Sequence, residues 1–238
     1  MLDRATQQKI LTTTRRLWST KVSSQQDLTR LIRSGAGGRS LASSVERQTI
    51  QALQKAFSGR VAFEQTKKGK RSTSSMGDIW IKAGGIYNPV NIKTGVKQPG
   101  GTGGSPNIVS LRKLTDAVFR RSIDAYYLLR VQFIAGPTPK VDVRLVDLLQ
   151  IMESYVRFDS GHGQLMLMAK EFDEDRPSPK YGVIDAKRAL EHLQERRKIG
   201  DERLTANRRR ARTEATKAMD GFDGSAPIDQ TDARLKAP

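Results

Sequence analysis

The stretch MGDIWIKAGGIYNPVNIKTG, residues 76–95, sets two short apolar runs either side of a Gly-Gly pair and ends each with polar residues that a buried strand does not want. Glycine accepts positive φ, so Gly84-Gly85 suits a two-residue turn, and the stretch reads as a β-hairpin with Asp78 opposite Asn91. Alternation then puts Ile79, Ile81, Val90 and Ile92 on one face and Asp78, Asn91 and Lys93 on the other. Directly paired Cβ atoms in such a hairpin lie about 4.5–5.5 Å apart. One face packs while the other gathers polar groups in one locality.

Around this hairpin the elements follow from spacing and breakers. Leu17, Leu28, Leu31 and Ile32 among Thr, Gln and Arg predict one or two short helices before the breaker Ser34–Arg39. Val45, Ile50, Leu53 and Phe57 predict an amphipathic helix capped by Ser43 or Ser44 and stopped at Gly59. A short strand over Arg60–Glu64 and a basic loop over Lys67–Ser75 lead into the hairpin. Beyond it, Gly95–Pro106 reads as a glycine-rich loop and Asn107–Phe119 as a helix. Strands follow at Ala125–Ile134 and Val141–Val146, a helical turn at Asp147–Glu153, and a strand pair at Tyr155–Phe158 and Gln164–Met168. The sum is a mixed α/β layer, with a central β-sheet flanked by helices.

Composition narrows the chemistry. The 238 residues suit one domain with a sizeable core plus a tail. The absence of cysteine excludes disulfides, thiolate metal sites and a cysteine nucleophile. No apolar run reaches membrane-span length and Met1–Arg4 does not open a secretory signal, so the expectation is a cytoplasmic protein with no membrane partner. A formal charge of +17 attracts polyanions and makes nucleic acid the expected partner. Gly100–Gly104 lacks the Lys-Ser/Thr ending of a phosphate-binding loop. His162 and His192 are too far apart in sequence to suggest a zinc site.

On a basic protein, an acidic residue, a second oxygen ligand and a lysine gathered on one face suit phosphodiester hydrolysis. Asp78 offers a hard anionic oxygen to Mg²⁺, an ion that needs only one or two carboxylates because it keeps several waters. Asn91 offers a neutral amide oxygen, and Lys93 can orient or deprotonate a water or stabilise developing negative charge. The competing structural reading is that Asp78 and Asn91 merely begin and end edge strands.

Gly77-Asp78-Ile79, the hairpin, and Asn91-Ile92-Lys93 resemble the PD-(D/E)xK nuclease motif, especially that of the type II restriction endonucleases. Ser105–Leu111 and Ser160–Met166 resemble stretches that follow the motif in some of these enzymes, and the likeness spans roughly residues 40–170. It implies a restriction-endonuclease-like αβββαβ core, with Asp78 and the Asn91–Lys93 strand holding Mg²⁺ and the preceding helix contributing Glu46. The implied activity is Mg²⁺-dependent cleavage of double-stranded DNA at a specific sequence, within a restriction-modification system; cutting both strands takes two active sites or sequential nicking, so a homodimer is the expected assembly. Two positions depart from the family pattern. Gly77 stands where the family has Pro, and Asn91 where most members have Asp or Glu, so metal affinity should fall unless Glu46 or Glu64 compensates.

The expected organisation is a helical segment over 1–39, a nuclease core over 40–184, a charged helix over 185–220 and a disordered tail over 221–238. Lys67, Lys68, Lys70, Arg71, Lys97 and His162 are the candidate DNA contacts. Arg196–Lys198, Arg208–Arg210 and Arg212 form the most basic stretch, suited either to DNA or to an ordinary charged helix. The alternative function is a basic DNA-binding module without catalysis.

Overall fold

The computed structural model describes residues 1–34, 38–64, 76–97, 106–120, 122–159, 163–175, 195, 198–210, 213 and 216. In chain order the elements are α1 (Arg4–Ser24), α2 (Gln26–Ser34), α3 (Gly38–Ala56), β1 (Val61–Ala62), β2 (Ile79–Ala83), β3 (Ile86–Lys97), β4 (Asn107–Ser110), α4 (Leu111–Phe119), β5 (Tyr127–Ile134), β6 (Lys140–Asp147), α5 (Leu148–Tyr155), β7 (Val156–Asp159), β8 (Gln164–Leu167) and α6 (Ala169–Asp175). The architecture is mixed α/β, as expected. A five-stranded sheet runs β1-β2-β3-β5-β6 and a smaller one runs β4-β8-β7. Within the larger sheet only β3 and β5 pair in parallel, and the other neighbours are antiparallel.

The hairpin forms with the expected register, Ile79 facing Val90 and Ala83 facing Ile86. Its turn places both Gly84 (φ 55°) and Gly85 (φ 83°) in the left-handed region, which glycine enters without steric cost. Pro89, which has no N–H to give, lies one residue before the β3–β5 ladder begins at Val90.

Two apolar clusters sandwich the larger sheet. On one face Ile79, Ile81, Val90 and Ile92 pack with Ile10 and Trp18 of α1, Val45 and Leu53 of α3, and Phe57 just past its end. On the other face Tyr126, Leu128 and Val146 pack with Leu114 of α4, Met152 of α5, Phe172 of α6 and the smaller sheet's Val109, Val156, Leu165 and Leu167. No helix among the described residues is long and apolar enough to cross a membrane.

Several boundaries differ from those read in the sequence. The α1 helix is 21 residues long, because its buried stripe is Thr6, Ile10, Thr14, Trp18 and Val22. Two threonines in that i, i+4 row hide it from a search for apolar spacing. The α3 helix begins at Gly38, so Ser43 and Ser44 lie inside it and cap nothing. The β3 strand continues through Gly95 to Lys97, held by its parallel ladder to β5. Residues 107–110 form a strand before α4, because β8 supplies a partner that local sequence does not reveal. The α6 helix was not foreseen.

Candidate functional site

Asp78 sits where the β2 ladder ends. Its N–H donates to the Val90 carbonyl at 3.0 Å, and its Oδ2 accepts the N–H of Ile92 at 2.6 Å. The side chain thus takes over from the backbone ladder and is held beside Asn91. A Cβ at position 77 would stand 3.0 Å from the Cβ of Pro89 and 3.2 Å from the Val90 nitrogen. The bend before Asp78 lies close enough to β3 that a side chain there would push on Pro89, which favours glycine at the position where the resembling family carries Pro.

Asn91 is buried, 5% exposed, on the face of the larger sheet that meets the smaller one. Its Nδ2 donates to the Ile108 carbonyl of β4 at 3.0 Å, which fixes the orientation of the amide and turns Oδ1 away from that carbonyl. Oδ1 is buried with no hydrogen-bond partner. A buried acceptor in this state costs about 1–3 kcal/mol unless something completes it. Lys93, two residues further on the same face, is half-buried and stands in register with Arg130 of β5.

Tyr126 closes the site from behind. Its hydroxyl donates to the Met76 carbonyl at 2.6 Å, and the ring is fully buried. Burial is the main reason that its ionisation is pushed far up. A hydrogen bond from Asn91 works against this shift, and the charge of Asp78 adds to it. Met76 is anchored on its other side by its N–H, which donates to Glu64 Oε2 at 2.8 Å. Glu64, Met76, Tyr126 and Asn91 therefore form one chain of polar contacts around the Asp78 bend.

Further along the same sheet face lies a buried ion pair. Arg130 Nη2 donates to Asp173 Oδ2 at 2.9 Å, with side-chain exposures of 3% and 6%. Gln132 Nε2 donates to the same oxygen at 2.6 Å, and Arg130 Nη1 to the Thr94 carbonyl at 3.1 Å. A Cβ on Gly95 would lie 2.3 Å from Arg130 Nη2, so the glycine makes room for the guanidinium beside β3.

Asp78 lies one residue beyond the β2–β3 ladder and is held against β3 by the Ile92 N–H, while Asn91 and Lys93 alternate on one face of that strand. Glu46 is carried by α3, whose apolar residues pack on the face with Ile79 and Ile92. Among the described residues no three His, Asp or Glu side chains gather as a metal-holding group. Lys97 is exposed at the end of β3. Lys67, Lys68, Lys70, Arg71 and His162 lie outside the described residues, as do the loop 98–105 and the tail 221–238. Tyr126, Arg130 and Asp173 escaped the sequence reading. Arg130 is visible as a break in an apolar run, but Asp173 lies 43 residues away, and nothing local pairs the two.

No family model matches the chain, and no curated protein matches it in sequence. The residues themselves therefore carry the functional reading.

Proposed function

We propose that the chain is a Mg²⁺-dependent endonuclease of restriction type acting on double-stranded DNA. The observation that carries this reading is the buried, unpartnered Asn91 Oδ1 beside the Asp78 carboxylate, with Lys93 next along the same face. Two hard oxygens, one of them charged, suit Mg²⁺, so Asp78 and Asn91 are the residues that would hold the ion. Glu46 and Glu64 are the further carboxylates proposed to assist. When bound, the ion would lower the pKa of a water and neutralise charge on the scissile phosphate.

The chain's own residues do the rest. The Ile92 N–H orients the Asp78 carboxylate, and the Ile108 carbonyl orients the Asn91 amide. Lys93 contributes a cation that can hold a phosphate oxygen or stabilise the charge that develops on it. The +17 charge draws DNA to the protein. Support also comes from the element order: α3, the antiparallel strands β1, β2 and β3, then α4 and β5 parallel to β3. With β4 of the smaller sheet set between β3 and α4, this order contains the αβββαβ series that the motif resemblance implies. One such site per chain cuts one strand at a time, so double-strand cleavage calls for a homodimer or two successive nicks.

A binding module without catalysis is the second reading. It is favoured by the hydrogen bonds that give Asp78 and Asn91 structural duties. Plasmid DNA incubated with wild type and Lys93→Ala, with and without Mg²⁺, separates the two. Discrete metal-dependent fragments lost in the variant are the expected outcome. Intact DNA that still shifts in a gel would overturn catalysis and leave the binding module.

A further inference from the structure

Residues 198–210 form a helix docked on the smaller sheet. A Cβ on Gly200 would lie 2.4 Å from the Phe158 ring of β7, and Leu204 Cδ1 lies 3.8 Å from where a Cβ on Gly163 would be. Gly200 and Leu204, four residues apart, therefore define the face that is held down. The absence of a side chain at Gly200 lets the helix backbone settle against the aromatic ring.

What this docking presents to solvent is one-signed at its far end. Residues 203–210, RLTANRRR, contain four arginines and no acid. Arg203, Arg208, Arg209 and Arg210 are all exposed, and none takes part in the ion pairs among the described residues. By contrast, Arg30, Arg112, Arg130 and Arg144 each face an aspartate. Asp201 and Glu202 balance Lys198 and Arg203 nearer the docked end, so the excess charge sits at 208–210. The helix belongs to the same side of the larger sheet as Asp78 and Asn91. Its anchor strand β7 is two strand spacings, about 10 Å, from β4, which receives the Asn91 amide.

We propose that Arg208, Arg209 and Arg210 form a second contact surface for duplex DNA, gripping backbone phosphates at a distance from the Asp78–Lys93 site. The inference rests on the DNA reading above, but it concerns binding and not cleavage. Three consecutive residues point in different directions around a helix, a spread suited to following a phosphate backbone and not to reading a base edge. The surface therefore contributes affinity and salt dependence without sequence preference.

The test is a titration of a mixed-sequence 30-base-pair duplex (~30, long enough to span many phosphates) by fluorescence anisotropy, in EDTA and over a series of salt concentrations. Wild type is compared with the triple variant Arg208→Gln/Arg209→Gln/Arg210→Gln. A control, Arg4→Gln/Arg16→Gln/Lys55→Gln, removes the same formal charge from exposed positions on α1 and α3 across the sheet. If all three arginines meet phosphates, the slope of log K against log salt falls by about 2.7 and affinity at 0.1 M salt by about 10²-fold. The control should leave the slope as in wild type. A slope unchanged in the triple variant, or an equal loss in the control, overturns the proposal, and so does a wild type that does not bind the duplex. Because metal is absent throughout, a failure of the nuclease reading shows up separately, as tight binding in EDTA with no cutting when Mg²⁺ is added.

Discussion

Asn91 is where chemistry and architecture compete for one side chain. The nitrogen end of its amide ties β3 to β4 through the Ile108 carbonyl, while the oxygen end is left in the site without a partner. A carboxylate at this position has no donor to offer Ile108, and this supplies a structural reason for asparagine where the resembling family carries an acid. Asn91→Asp is accordingly expected to cost about 1–3 kcal/mol of stability while raising the apparent affinity for Mg²⁺. Urea unfolding and metal titration of the same variant would check both halves. Undiminished stability would mean that the Ile108 bond contributes nothing. The hairpin register that sets Asp78 beside Asn91 was legible because it follows from a glycine pair and alternation alone. That Asn91 faces another sheet was not, since β4 lies across a loop and pairs with a strand more than 50 residues further on.

At the scale of an element, α5 depends on a buried acid at its start. Asp147 Oδ1 accepts the N–H groups of Leu149 at 3.1 Å and Tyr126 at 3.2 Å, so one carboxylate caps the helix and pins the residue behind the site. Burial pushes Asp147 up to about 6, while these two N–H groups and the N-terminal ammonium act in the opposite direction. A folded pKa above the unfolded value means that the native state holds the proton more tightly. The stabilisation is therefore complete below about pH 4 and is lost as pH rises through about 6, amounting to about 3 kcal/mol at 1.36 kcal/mol per unit. Asp147→Asn keeps an oxygen for the cap and removes the titration. The difference in unfolding free energy between wild type and variant should move by about 2 kcal/mol between pH 4 and 6 and level off only near about pH 7. Denaturant curves at four pH values (~4, 5, 6 and 7) measure it, and a constant difference would show that Asp147 does not titrate in this range. The sequence displayed a helical turn beginning at Asp147, but its burial depends on Tyr126 and on the N-terminus folding over it.

Across the whole molecule, the ion pair of Arg130 and Asp173 joins the central sheet to α6 and sits beside the strand that carries Lys93. Arg144 adds to the same junction, donating to the carbonyls of Phe172 at 2.9 Å and Asp173 at 3.2 Å. Removing one partner strands a charge in a place closed to water. Asp173→Ala should therefore cost about 3–5 kcal/mol, and Arg130→Met combined with Asp173→Leu much less. Thermal and urea unfolding of the two variants gives the comparison. A double variant as unstable as the single one would show that packing, and not the uncompensated charge, sets the cost. Cleavage by the double variant, if it folds, then reports whether the pair also positions Lys93.

The amino-acid sequence by itself determined the hairpin, its register, the shared face of Asn91 and Lys93 on β3, and the basic character of the molecule. Each of these follows from near neighbours: a glycine pair with positive φ, a period of two, a count of charges. Only the tertiary structure decided that α1 buries a stripe containing threonines, that residues 107–110 make a strand, that α3 packs on the face opposite Asn91, and that Asn91 Oδ1 is left without a partner. Those outcomes depend on elements that meet across the chain, where burial and hydrogen bonding with distant partners outweigh local preference.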